Sequence, residues 1–167
     1  VIDTVGELLR EAEEKYQIDK SQIRAAGITN QRETSIAWDK RDGVPAAKAI
    51  VWQCSRAEEI CEKKQSHREK IKEISGLPLS PYFPAAKYAW LLQNERTIAE
   101  LAEKEELCLG TIDSFLVFRL TGGNFYTDVS NASRTQLFDI EKTAYSEELC
   151  HIFGIPMNAL PQVKASD

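Results

Sequence analysis

No apolar run in this sequence is long enough to cross a bilayer, so no membrane-spanning helix is expected. None of the four cysteines, Cys54, Cys61, Cys108 and Cys150, forms a C-x-x-C pair. The only two histidines, His67 and His151, stand at no metal-ligand spacing from them. Metal and disulfide roles are therefore set aside, and reduced, buried or half-buried thiols of a cytoplasmic protein are expected. Positive charge is in deficit: 21 Lys and Arg against 26 Asp and Glu leave a net charge of -5. Nothing electrostatic then favours nucleic acid or an anionic membrane as partner. There is no Walker loop and no Gly-rich phosphate turn, and Gly122-Gly123 reads as a helix stop. Internal repeats, low-complexity tracts and linkers are also missing. No secretion signal is visible, since Val1-Ile2-Asp3-Thr4 leads directly into an amphipathic pattern. The chain opens on Val1 and its only methionine is Met157, so it is expected to be an excised or processed piece, with Lys164-Ala165-Ser166-Asp167 as a cut end.

What is present is an ordinary domain composition. The 167 residues, 43% hydrophobic and 28% charged, suffice for one domain with a real core and exclude disorder. Ile2, Val5, Leu8, Leu9, Ala12 and Tyr16 fall on one stripe and predict a helix over 2–16. A strand is expected over 23–29. A hairpin follows, with one arm at 34–38, a turn at 39–43 closed by Asp42-Gly43, and a return arm at 46–53. A long polar helix over 55–75 should place Cys54 and Cys61 along one face and end at Gly76, before Pro78. Pro78, Pro81 and Pro84 punctuate a loop over 77–83. Helices are expected over 85–92, 97–104, 113–120 and 146–153, and a buried strand over 106–111. The helix over 113–120 is apolar nearly all round (Phe115, Leu116, Val117, Phe118) and so should lie in the core. Residues 124–140 read as irregular backbone with a short strand at 135–140. Interspersed strands and helices make the class α/β.

The stretch with most chemistry is Gly27-Ile28-Thr29-Asn30-Gln31-Arg32-Glu33-Thr34. A guanidinium donates to hydroxyl oxygens, and a carboxylate accepts from hydroxyl hydrogens. Arg32 and Glu33 can thus grip a small polyol, or they can be a solvated strand end with a weak ion pair. Successive strand residues point to opposite faces, so both can serve one ligand only if the chain bulges or turns at Gln31 to Glu33.

Further blocks follow in order: Ile50-Val51-Trp52-Gln53-Cys54, Pro81-Tyr82-Phe83, Gly110-Thr111-Ile112-Asp113, and Thr127-Asp128 with Asn131-Ala132-Ser133-Arg134-Thr135. From about residue 23 onward, this set resembles the glycerol-kinase branch of the FGGY carbohydrate kinases. The Gln-Arg-Glu block resembles the glycerol members, since xylulose and gluconate kinases differ there. The resemblance implies part of an actin-like, ribonuclease-H-like N-terminal domain with family-specific insertions. It implies that the N-terminal phosphate loop, the catalytic aspartate and the C-terminal ATP domain lie outside this chain. The parent would be an ATP-dependent, Mg²⁺-requiring, cytoplasmic glycerol kinase and a homo-oligomer, and the fragment alone would be inactive. Another FGGY sugar or polyol kinase, or a non-catalytic interaction module, stays open beside it.

The resemblance also implies site residues. Arg32 and Glu33 would hold two glycerol hydroxyls, Tyr82 would add a phenolic hydrogen bond, and Trp52 would lay its indole against the carbon chain. Read without the family, Trp52 is a core residue and Tyr82 a loop anchor. Trp38 and Trp90 read as packing residues. Asn131, Ser133 and Arg134 read as a polar loop that satisfies its own backbone, with no ligand assigned. The family pattern Phe-Ser-Gly-Thr-Lys is replaced by Phe83-Pro84-Ala85-Ala86-Lys87. Pro84 suits the first turn of a helix, so the fold need not change.

Overall fold

Two strands buried on both faces set the centre of the fold. In β1 (Ser35–Asp39) and β2 (Leu107–Thr111) the side chains divide between two faces. The strands pair antiparallel, from Ser35 opposite Thr111 to Asp39 opposite Leu107. Ala37, Leu107 and Leu109 join the main core, whereas Ile36, Trp38 and Cys108 join a smaller cluster with Phe118. The chain is described here by a computed structural model covering residues 2–166. Val1 and Asp167, which entered the expectation of a cut chain, lie outside the described residues, as do the side chains of Ile2 and Lys20.

On the main-core side pack α4 (Pro84–Asn94) and α5 (Arg96–Glu103). Pro84 occupies the first turn of α4, where its missing N–H costs nothing. Against the other cluster lies α6 (Ile112–Leu120). The Trp38 ring is fully buried, with ring centroids 5.2, 5.7 and 5.2 Å from Phe115, Phe118 and Phe125 in edge-on geometry. Gly110 sits beneath this cluster. A Cβ there would overlap Ser114 Oγ and approach the Trp38 ring to 2.8 Å.

Several expectations are corrected. The helix over 2–16 forms as α1 (Ile2–Tyr16), but its apolar stripe is open, with Leu8 59% exposed. Periodicity dictates the helix, not what covers it. The strand over 23–29 does not form: the segment has no regular secondary structure and pairs with no strand among the described residues. A strand exists only where a neighbour takes its ladder hydrogen bonds. The return arm over 46–53 shrinks to one isolated bridge, Ser35 to Ile50, and a second bridge, Trp38 to Pro45, falls just before it. Proline cannot donate to a ladder, and the full partner of β1 is β2. Gly43 closes the turn at φ +69° as expected.

The long polar helix is interrupted. It divides into α2 (Glu58–Lys63), a 3₁₀ turn at Gln65–His67, and α3 (Arg68–Ser75). Ser66 and His67 are weak helix formers at the break. Gly76 ends α3 in the left-handed conformation. Cys54 therefore lies outside any helix; all four thiols are free, and three are buried. The expected core helix α6 is only partly covered: Phe115, Leu116 and Val117 are half-buried and Leu120 is exposed. Residues 124–140 are more regular than expected. They hold β3 (Tyr126–Asp128), α7 (Val129–Ala132) and β4 (Phe138–Asp139). β4 pairs with β5 (Ala144–Tyr145), and β3 runs parallel to β6 (Gln162–Lys164). The final helix forms as α8 (Glu147–Phe153), capped by Ser146 and ended by Gly154 at φ +69°.

Candidate functional site

The chain turns at residues 31–34. Thr34 N–H donates to the Gln31 carbonyl at 3.2 Å, and Thr34 Oγ1 donates to Gln31 Oε1 at 2.9 Å. This is the departure from strand geometry that a shared ligand for Arg32 and Glu33 requires. The two side chains then separate. Arg32 is exposed, and its Nη1 donates to Ser130 Oγ at 3.1 Å and to the Ser130 carbonyl at 3.3 Å. Glu33 is 8% exposed, and its Oε1 accepts from Arg134 Nε at 2.7 Å. Both charges are thus directed at residues 130–134.

The expectation for that loop holds only in part. Asp128 caps α7 by accepting from Asn131 N–H at 2.7 Å and from Asn131 Nδ2 at 2.8 Å, and Ser133 Oγ donates to the Ser130 carbonyl at 3.1 Å. These contacts are local, as expected. Arg134 is different: its guanidinium engages Glu33 and lies over the Phe83 ring, 5.1 Å from the centroid. A planar, permanently charged fork can do both at once. No local pattern revealed this, because the partners are 101 residues apart.

Tyr82 is half-buried in the proline-bounded loop, and its N–H donates to Ser80 Oγ at 3.2 Å. Trp52 is 39% exposed, which removes it from the core, and its ring stands edge-on to Tyr82 at 5.9 Å. Tyr82 in turn stands edge-on to Phe83 at 5.2 Å. Glu33, Tyr82 and Trp52 are therefore linked through Arg134, Phe83 and one further residue, Lys87.

Lys87 on α4 is fully buried. Its Nζ donates to the Glu33 carbonyl at 2.7 Å and to the Tyr82 carbonyl at 2.6 Å. Among the described residues it forms no salt bridge. Loss of solvent lowers its pKa to about 8, although the charges of Glu33 and Cys54 act the other way. The sequence did carry a signal for it: Pro84-Ala85-Ala86-Lys87-Tyr88-Ala89-Trp90 places a lone Lys in an apolar helical run.

A second buried group ties the remaining blocks together. Asp113 accepts from Thr111 Oγ1 at 2.5 Å and from Thr127 Oγ1 at 2.6 Å, and Asn30 Nδ2 approaches to 3.5 Å. Burial raises its pKa, and the two threonine hydroxyls oppose that rise. A surface cavity of about 610 Å³ lies elsewhere, between α3 and residues 139–148, and none of the four candidate residues lines it.

The candidate residues retain hydroxyl-binding capacity, and the Trp52 ring stands next to Tyr82. One Glu33 oxygen is used by Arg134, leaving the other as acceptor. Arg32 uses one of its nitrogens on Ser130, and a guanidinium has five N–H donors.

Comparisons with known proteins show what the chain as a whole is similar to. The model of the N-terminal domain of the FGGY family of carbohydrate kinases matches residues 1–167, which extends the resemblance to the first residue. A glycerol kinase of Thermococcus onnurineus is 50% identical over 159 residues, covering 95% of this chain and 32% of that protein. A glycerol kinase of Mycoplasma genitalium is 46% identical over 163 residues, with the same 95% and 32% coverage. The crystal structure of Plasmodium falciparum glycerol kinase with ADP matches at a TM-score of 0.86 and 38% identity, covering 98% of this chain and 34% of that one. A gluconate kinase of Lactobacillus acidophilus, at 24% identity and a TM-score of 0.75 over 89% of this chain and 29% of its own, shares the fold. The fold is the actin-like, ribonuclease-H-like one of these kinases. The chain spans about a third of the length of the curated relatives it matches.

Proposed function

From the premise that this chain belongs to the FGGY family of carbohydrate kinases, we propose that it is the polyol-binding portion of an ATP-dependent glycerol kinase. The reaction is transfer of the ATP γ-phosphoryl group to a primary hydroxyl of glycerol, giving glycerol 3-phosphate and ADP. The observation that carries this reading is the convergence of Glu33, Tyr82 and Trp52 through Lys87 and Arg134. Relatives 45–50% identical and named glycerol kinase support glycerol over other polyols.

Each residue has a role in this reading. The free oxygen of Glu33 accepts from one glycerol hydroxyl, and Arg32 donates to another. The Tyr82 phenol adds a neutral hydrogen bond, and the Trp52 face covers the carbon chain. Alignment of the nucleophilic hydroxyl is what these residues supply; phosphoryl transfer also needs a base and a metal on the phosphates. The described residues include no group of three or more His, Cys, Asp or Glu able to hold a metal ion. Gly122 and Gly123, at φ +72° and +114°, follow the end of α6. ATP, Mg²⁺ and the base belong, in this proposal, to other parts of a homo-oligomeric cytoplasmic enzyme, and this chain to its N-terminal substrate-binding domain.

The test is steady-state kinetics on the full-length gene product. Hydrogen bonds to charged groups contribute about 1.5–3 kcal/mol, so Glu33→Gln and Arg32→Ala should each lose roughly ten- to hundredfold in kcat/KM for glycerol. Tyr82→Phe removes a neutral bond, about 0.5–1.5 kcal/mol, and should lose less. KM for ATP should stay within twofold. Arg96→Ala, whose side chain is 92% exposed, is the control. If Arg32→Ala and Glu33→Gln match that control, the two side chains serve only their protein partners, Ser130 and Arg134, and the polyol reading fails. The 167-residue chain by itself should show no turnover with ATP, Mg²⁺ and glycerol.

A further inference from the structure

We propose that Lys87 is a positioning residue for the polyol: its buried ammonium joins the backbones of Glu33 and Tyr82 and so sets the separation of the carboxylate and the phenol. The inference rests on the polyol reading given above and adds to it a residue that need not touch the substrate.

The geometry is selective. Lys87 Nζ has three donors, and the two it places in hydrogen bonds both go to carbonyls of candidate glycerol-binding residues. Those carbonyls belong to separate segments: one in the turn before β1, the other in the loop before α4. Glu33 and Lys87 are 54 residues apart, so this is a long-range tie. The same Nζ lies 6.0 Å from the Tyr82 ring centroid, which restrains the ring as well as its backbone.

Filling the space alone does not call for this residue. Burying an ammonium without a carboxylate partner is unfavourable, and a Met of similar length would fill the same space without that penalty. Lys87 is nonetheless fully buried, among Ala85, Ala86, Tyr88 and Ala89. What a Met cannot supply is donors to two backbone carbonyls at once. Those carbonyls would be left unsatisfied, and the two segments would separate. A neighbouring contact works in the same direction. Arg134 holds the Glu33 side chain while Lys87 holds its main chain, so the carboxylate is fixed from both ends. The Glu33 charge also favours the protonated form of Lys87, in the same sense as the tie between them.

The experiment compares Lys87→Met and Glu33→Gln in the full-length gene product, with native fold checked by circular dichroism and melting. Loss of two charge-assisted hydrogen bonds should raise KM for glycerol about tenfold or more in Lys87→Met. KM for ATP should stay within twofold. Discrimination between glycerol and a propanediol lacking one hydroxyl should fall, because the two hydroxyl-binding groups no longer keep their spacing. A side chain that serves the fold alone would lower the melting temperature and leave both readouts unchanged. An unchanged glycerol KM in folded Lys87→Met, with Glu33→Gln impaired, overturns the role of Lys87 and leaves the polyol site standing. An unchanged KM in Glu33→Gln overturns the polyol site itself. If Lys87→Met does not fold, Lys87→Gln, uncharged but with two donors, is measured instead; a glycerol KM raised less than about tenfold over wild type supports the role, and an unchanged KM rejects it. If neither variant folds, Lys87 is a folding element and the positioning role is rejected.

Discussion

The Arg134–Glu33 pair yields the sharpest energetic prediction. Arg134 Nε and Glu33 Oε1 are 2.7 Å apart, with side chains 29% and 10% exposed. An exposed ion pair contributes about 0–1 kcal/mol, and breaking a fully buried one costs about 3–5 kcal/mol. This pair lies between those limits, since Glu33 is nearly dry and Arg134 still meets solvent. A coupling of about 2 kcal/mol is therefore expected, the range of a hydrogen bond to a charged group. The assay is a double-mutant cycle by urea unfolding of the chain, with Arg134→Met, Glu33→Gln and both together. Arg134→Met alone should destabilise most, because it leaves a carboxylate buried without its partner. Adding Glu33→Gln to it should restore part of that loss. A coupling under about 0.5 kcal/mol would mean that solvent screens the pair, and Arg134 could then not orient the carboxylate. In the full-length enzyme, Arg134→Met should raise KM for glycerol and leave KM for ATP alone.

Three further outcomes are expected. Gly110→Ala should destabilise by about 1–3 kcal/mol in urea unfolding, because its Cβ meets Ser114 and the Trp38 ring; a neutral result would show that this cluster can shift. Lys87 falls to about 8 when folded against an ordinary 10.5, so the unfolded chain binds more protons between those values and its contribution makes stability rise with pH from 8 to 10.5. That contribution is about 3 kcal/mol at about 1.4 kcal/mol per unit, is present above 10.5 and lost below 8, and should vanish from the wild-type curve in Lys87→Met. Glycerol titrated by NMR into the 167-residue chain should bind at millimolar levels or more weakly: six heavy atoms at about 1.5 kcal/mol each cap a complete pocket at roughly 9 kcal/mol, and in the proposed reading part of the pocket lies outside this chain.

Local chemistry in the sequence determined most elements and one constraint on the site. Pro84 at the head of α4, Gly76 and Gly154 at helix ends, and Gly43 in its turn sit where backbone preference alone places them. The alternation of side chains along a strand required a turn at Gln31 to Glu33, and that turn is present. The motif blocks named the family, because their residue types and order needed no coordinates. Tertiary structure decided whatever depends on a distant neighbour. Residues 23–29 have the composition of a strand, yet a strand needs a partner and none of the described residues supplies one. The apolar stripe of α1 was legible, but its exposure was not. Arg134 looked like a loop residue until folding brought it to Glu33, and Lys87 like an odd Lys in a helix until its Nζ met two carbonyls. A sequence encodes the dihedral preferences and periodicities of each segment, whereas hydrogen bonds across 54 and 101 residues form only once packing has fixed where those segments lie.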